Sequence, residues 1–152
     1  MFVDADHAHD KITGRSITGL VVFVCSTPVV WYSKKQQAVA TSTFSAEFTA
    51  LKAAVEECVN LRYHLRSMGI PVKTATPIYV DNMGVVLNAT NLSSSLNKKT
   101  VALSYHFVRE PVANRVIHIR KIDTKDNYAD SYTKALLRQE HHSFYYQYQR
   151  NG

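Results

Sequence analysis

The sequence predicts a mixed α/β domain in which an antiparallel meander feeds a sheet covered by helices. Three observations carry that expectation. Runs of β-branched and aromatic residues follow one another near the start with short connections. The apolar period then lengthens to that of a helix around Leu51 to Met68, and beyond it short apolar runs alternate with helical patterns.

Taken in order, Phe2-Val3 opens a first strand, cut short by the start of the chain. Gly14-Arg15-Ser16-Ile17-Thr18-Gly19 leads into a second strand over 20–25, and after a Thr27-Pro28 turn a third runs over 29–33. Leu51, Ala54, Val55, Cys58, Leu61, Leu65 and Met68 make one apolar stripe. With N-cap candidates at Thr41 to Thr43 and Ser45, and a stop at Gly69 before Pro71, a helix is expected over 45–68. Pro77-Ile78-Tyr79-Val80 reads as a short buried strand ending at Asp81, followed by a short helix over 82–87. A Ser/Asn-rich loop over 91–99 precedes a second helical pattern over 101–114, a strand over 116–122 and a last helix over 127–137. One domain is expected over 1–138, with a tail, 139–152, that has no assigned state.

Composition narrows the function. The 152 residues are 45% hydrophobic and 20% charged, enough for one packed core and unlike a disordered chain. Lys and Arg number 18 against 12 Asp and Glu, a net charge of +6 that suits a polyanionic partner. No run reaches the ~18–20 apolar residues of a membrane span, and the start has neither a basic nor an apolar signal region, so a secreted or membrane protein is disfavoured. Cys25 and Cys58 lie in apolar runs and read as core thiols. No His-x-x-x-His pair and no Gly-x-Ser-x-Gly elbow occurs, which leaves zinc sites and serine hydrolase chemistry unsupported.

Four acids stand out against the solvated majority. Glu47 lies one turn before Leu51, so its carboxylate projects from the stripe that faces the sheet. Asp4 follows Phe2-Val3 on the first strand, Asp81 ends a buried strand, and Asp130 lies near the start of the last helix. Four carboxylates converging from different elements would repel one another and raise each other's pKa. Hard divalent cations with oxygen ligands resolve that repulsion, and two such ions ~3.5–4 Å apart suit in-line phosphodiester hydrolysis.

These residues also resemble a family. Val3-Asp4-Ala5-Asp6, Trp31-Tyr32-Ser33-Lys34-Lys35-Gln36, Ser45-Ala46-Glu47-Phe48-Thr49-Ala50-Leu51, Tyr79-Val80-Asp81-Asn82, Tyr105-His106-Phe107-Val108-Arg109-Glu110 and Ala129-Asp130-Ser131-Tyr132-Thr133-Lys134 are similar, in order, to the ribonuclease H domain of copia-type LTR-retrotransposon polyproteins. The resemblance implies an RNase H-like fold that cuts the RNA strand of RNA–DNA hybrids with two Mg²⁺, Mn²⁺ being able to substitute, and leaves 3′-hydroxyl and 5′-phosphate ends. It maps the family's acidic set onto Asp4, Glu47, Asp81 and Asp130, with Glu47 nearest the RNA 2′-hydroxyl. It also implies an excised piece of a polyprotein working beside a reverse transcriptase, inside the cell, in the cytoplasm or a virus-like particle. Three departures stand out: Ser45 where the family carries a second acid, Lys99-Thr100-Val101-Ala102 where it carries Lys-His-Ile-Asp, and no His in Asp123-Thr124-Lys125-Asp126, where cellular and retroviral relatives often have one.

Residues around the acids supply a candidate substrate surface. Lys34 and Lys35, beside Trp31 and Tyr32, suit phosphate pairing and stacking. Arg15, Ser16 and Thr18 are candidates for backbone or 2′-hydroxyl contacts, as is the amide of Asn82, and Lys98 and Lys99 would extend the basic track. Asp6, two residues from Asp4, is an alternative ligand. The leading expectation is a metal-dependent endoribonuclease. Its rivals are a catalytically inactive nucleic-acid-binding module of the same fold, from a decayed or domesticated element, and a nuclease or integrase of that fold acting on DNA.

Overall fold

The computed structural model describes residues 1–91 and 102–134, with side chains for all of these but 102 and 103. The expected meander is present: β1 (Phe2–Asp6), β2 (Ile17–Val24) and β3 (Thr27–Lys35) pair antiparallel. β4 (Thr76–Val80) lies parallel to β1, and β5 (Ile117–Lys121) parallel to β4, giving the sheet order β3-β2-β1-β4-β5.

Three helices bury one face of that sheet: α1 (Thr43–Ser67), α2 (Met83–Thr90) and α3 (Ala102–Ala113). Strand residues two apart, Val3 and Ala5, Leu20 and Val22, Ile78 and Val80, Ile117 and Ile119, form one cluster with Phe48, Leu51, Val55, Val85 and Val108 of the helices. On the opposite face Phe2 stacks on Tyr79 at 5.0 Å and meets the edge of Tyr128 at 4.8 Å. α1 starts two residues before its expected position because Ser42 is the cap, its hydroxyl accepting from the Ser45 amide at 3.2 Å. It ends at Ser67 with Met68 as its cap, and Gly69 follows with a φ of 79° that suits the residue after a helix cap. Among the described residues no helix is long and apolar enough to cross a membrane.

Three expectations need correction. The second turn is Cys25-Ser26, with Cys25 at φ 55° and exposed, so only Cys58 is the core thiol that both cysteines were expected to be. Pro28 falls inside β3, which tolerates it as an edge strand because no neighbour needs its missing N–H on that side. The last helix is absent over its described part, where the 3₁₀ segment Tyr128–Tyr132 stands instead, preceded by another over Thr124–Asp126. Asn127 separates them and bonds both its own turn and β1, which holds the chain flat against the sheet. Residues 135–137 of that expectation, most of the 91–99 loop with Lys98 and Lys99, and the tail over 139–152 lie outside the described residues, and so does the boundary at 138.

Candidate active site

β1 and β4 pair through Phe2 and Tyr79 and go no further as partners, although both strands continue. Asn127, fully buried, fills the gap: its Nδ2 donates to the Val3 carbonyl at 3.0 Å, and its Oδ1 accepts from the Ala129 amide at 3.1 Å. A strand carbonyl without a ladder partner is thereby satisfied. Asp4, the next residue on β1, and Asp81, just past β4, border this opening.

α1 packs chiefly on β1 and carries Glu47 between the buried Ala46 and Phe48. Carboxylate oxygens of Asp4, Glu47 and Asp81 lie within 4.8 Å of one another, with Asp4 only 2% and Glu47 7% exposed. Burial first, and then the charges of Asp4 and Asp81, push the Glu47 carboxyl from its ordinary 4.5 up to about 9. Burial likewise lifts Asp4 from 3.8 to about 6, in spite of a hydrogen bond from Thr133 that favours its anion. Three acids held this close in a dry setting are stable as anions only with a cation among them.

The segment over 124–134 braces the cluster. The Thr133 hydroxyl donates to Asp4 Oδ2, and the Thr124 hydroxyl donates to Asp81 Oδ2 at 3.0 Å. Gly19, the β2 partner of Asp4, lies beneath this segment; a Cβ there would stand 2.7 Å from both the Ala129 carbonyl oxygen and Thr133 Cγ2. The fourth predicted acid, Asp130, is near enough to add negative potential at Asp4 and Glu47 but is not within the three-acid group, and it is ion-paired with Lys134.

The remaining candidates divide by exposure. Arg15 and Lys34 face solvent, as does Lys35, which is ion-paired with Asp10 at 2.7 Å. Ser16, expected as a substrate contact, is fully buried, and its hydroxyl accepts from the Ala8 amide at 3.2 Å, so it holds the β1–β2 loop. Thr18 is buried too, accepting from the Gln36 side chain at 3.0 Å. Asn82 Oδ1 caps α2 by accepting from the amides of Gly84 at 2.9 Å and Val85 at 3.3 Å. Asp6 is paired with His9 at 2.6 Å and lies outside the acidic group. Sequence reasoning missed Thr133, Thr124, Asn127 and Gln36. The last of these is buried and joins β2 to α1 through Thr18 and the Ala46 carbonyl.

Comparison with known proteins adds ancestry to this geometry. No family model matches the chain. It is 32% identical over 143 residues, 94% of its length, to the retrovirus-related Pol polyprotein from transposon RE1 of Arabidopsis thaliana. Over 137 residues, 90% of its length, it is 32% identical to that of transposon RE2 of the same plant and 31% identical to that of transposon TNT 1-94 of Nicotiana tabacum. The chain spans about a tenth of these relatives, 10%, 9% and 10% of their lengths in that order.

Among solved structures it is similar to an RNase H1 isolated from compost (TM-score 0.63, covering 86% of this chain and 88% of that one). An RNase H1 from Halobacterium salinarum (0.61; 85% and 89%) and an N-terminal RNase H domain from Mycobacterium tuberculosis (0.65; 93% and 94%) are similar as well. At 16% identity these three likenesses show the fold. The chain thus belongs, as one segment, with the retrovirus-related Pol polyproteins of copia-type transposons, and that segment has the RNase H fold.

Proposed function

We propose that this chain is a metal-dependent endonuclease that hydrolyses the RNA strand of RNA–DNA hybrids within a retrotransposon's reverse-transcription apparatus. The observation that carries the reading is the meeting of Asp4, Glu47 and Asp81, from three separate elements, within 4.8 Å in a largely buried setting. The donor set fits the implied ion: every ligand is a carboxylate oxygen, which selects a hard cation such as Mg²⁺ over a soft one.

Asp4, Glu47 and Asp81 would hold the ions, with Asp130 as a fourth ligand on parting from Lys134. When bound, two Mg²⁺, or Mn²⁺ in their place, supply Lewis acidity for the attack of water on the phosphodiester and for departure of the 3′ oxygen. The chain's own residues do the rest. Arg15, Lys34 and Lys35 meet phosphates from the exposed side, and Glu47 stands nearest the 2′-hydroxyl that separates RNA from DNA. Kinship with Pol polyproteins supports a reverse transcriptase on the same polyprotein as the working partner. The reading proposed here places that work inside the cell, in the cytoplasm or a virus-like particle.

Incubation with a labelled hybrid and Mg²⁺ tests the reading. RNA should be cut to 5′-phosphate products while single-stranded RNA and duplex DNA stay intact, and EDTA should stop the reaction. Asp81→Asn should lose on the order of 10²–10³-fold in rate, as expected for removing several kcal/mol of charge stabilisation, with hybrid binding still measurable. Binding without cleavage in either Mg²⁺ or Mn²⁺ would overturn the reading in favour of a binding module, and cleavage of duplex DNA would overturn its substrate.

A further inference from the structure

We propose that Thr133 is a positioning residue for ion binding: its hydroxyl fixes the Asp4 carboxylate and thereby sets the affinity of the acid cluster for divalent cations. This rests on the reading of the acids just given and deepens it.

Asp4 and Thr133 are 129 residues apart in sequence and both buried, 2% and 3% exposed, and the bond between them runs from Thr133 Oγ1 to Asp4 Oδ2. Thr133 Oγ1 also lies 3.1 Å from the Asp130 carbonyl oxygen. A hydroxyl has one proton to give, and the charged carboxylate is the stronger acceptor.

Without that bond Asp4 would face Glu47 and Asp81 with the charge of Lys134 still offsetting part of their repulsion, but with no directional contact from Thr133 to hold its carboxylate in place. With it, one oxygen is anchored and the other lone pairs stay aimed at the cluster. The anchor also has a long reach. The Thr133 amide donates to the Asp130 carbonyl at 3.2 Å, so the turn that bears the fourth acid is tied to the first acid through one residue. The space for this is kept by Gly19, whose missing side chain is where the Thr133 methyl packs.

Hydrogen-bond partners of metal-ligating groups typically account for 10–100-fold in metal affinity. Calorimetric titration of Mn²⁺ into the full chain should therefore show T133V binding 10–100-fold more weakly than wild type, a figure taken from that general range. T133S, which keeps the hydroxyl and loses only the methyl, should stay within about threefold of wild type, below that range. Thermal melts establish that each variant is folded, and where T133V does not fold, T133A makes the same comparison with T133S. Wild-type affinity in T133V, or a loss in T133S as deep as in T133V, would overturn the proposal, the second outcome by assigning the effect to packing. A wild-type chain that takes up no Mn²⁺ at all would instead bring down the reading of the acids, and this proposal with it.

Discussion

The side-chain amide of Asn127 donates to the Val3 carbonyl at 3.0 Å, one residue beyond the Phe2–Tyr79 pair at which β1 and β4 cease to be partners. A side chain thus stands in for a strand, and the gap it props open is where Asp4 and Asp81 approach Glu47.

Replacing that prop should be costly. Asn127→Ala leaves a buried carbonyl unpaired and the Ala129 amide uncapped, for a loss of roughly 2–4 kcal/mol in urea unfolding. Asn127→Asp should fare no better, since an ionised carboxylate still caps but cannot donate to Val3. A loss under about 0.5 kcal/mol, the usual range for an inconsequential substitution, would show that the strands part for another reason.

Gly19→Ala tests the close approach of the 128–133 turn to β2. The added methyl would meet the Ala129 carbonyl oxygen and Thr133 Cγ2 at 2.7 Å, and backbone cannot swing aside as a side-chain tip does. Overpacking of this kind costs about 1–3 kcal/mol. Cleavage should fall further than the lost stability explains, because the displaced turn carries Thr133 and Asp130. Equal activity at full folding would refute this.

The acid cluster should leave a pH signature in the metal-free protein. Glu47 titrates near 9 when folded against an ordinary 4.5, so the folded chain holds a proton that the unfolded chain has already lost between those values. Stability from this source is complete below about 4.5 and is lost as pH climbs towards 9; Asp4, raised to about 6, adds the same trend over 3.8 to 6. In EDTA the melting temperature of wild type should therefore fall, relative to Glu47→Gln, from pH 5 to pH 9. Mg²⁺ should restore it, and more so at the higher pH. Parallel wild-type and Glu47→Gln profiles in EDTA would contradict the burial of this carboxyl.

On the substrate side, Arg15→Ala and Lys34→Ala should each weaken hybrid binding and lower the salt slope by about 1, as for the loss of one phosphate contact. Asp10→Asn should do the reverse, because it releases the Lys35 ammonium that Asp10 holds at 2.7 Å. Filter binding across a salt series reads both, and a slope unchanged in Lys34→Ala would remove that residue from the interface.

Much of this molecule was legible beforehand. Runs of β-branched and aromatic residues marked the strands, the 3.6-residue stripe marked α1, and Glu47 betrayed itself as a charge on an apolar face. Ser16 and Thr18 misled, because small polar residues near a site read alike whether they face a ligand or satisfy a loop, and here both are buried in internal hydrogen bonds. Cys25 misled for a related reason: an apolar run does not say where its strand turns, and the turn came two residues early.

By itself the sequence determined the element order as far as β5 and the antiparallel start of the sheet, and it singled out the four acids, since burial periodicity and residue chemistry are local properties written along the chain. Only the tertiary structure decided that three of those acids meet while Asp130 turns to Lys134, that Asn127 wedges β1 from β4, and that Thr133 grips Asp4. Apart from the Asp130–Lys134 pair, whose members stand four residues apart, these contacts join residues up to 129 positions apart, and their partners are chosen by where the strands cross in space, which no local pattern encodes.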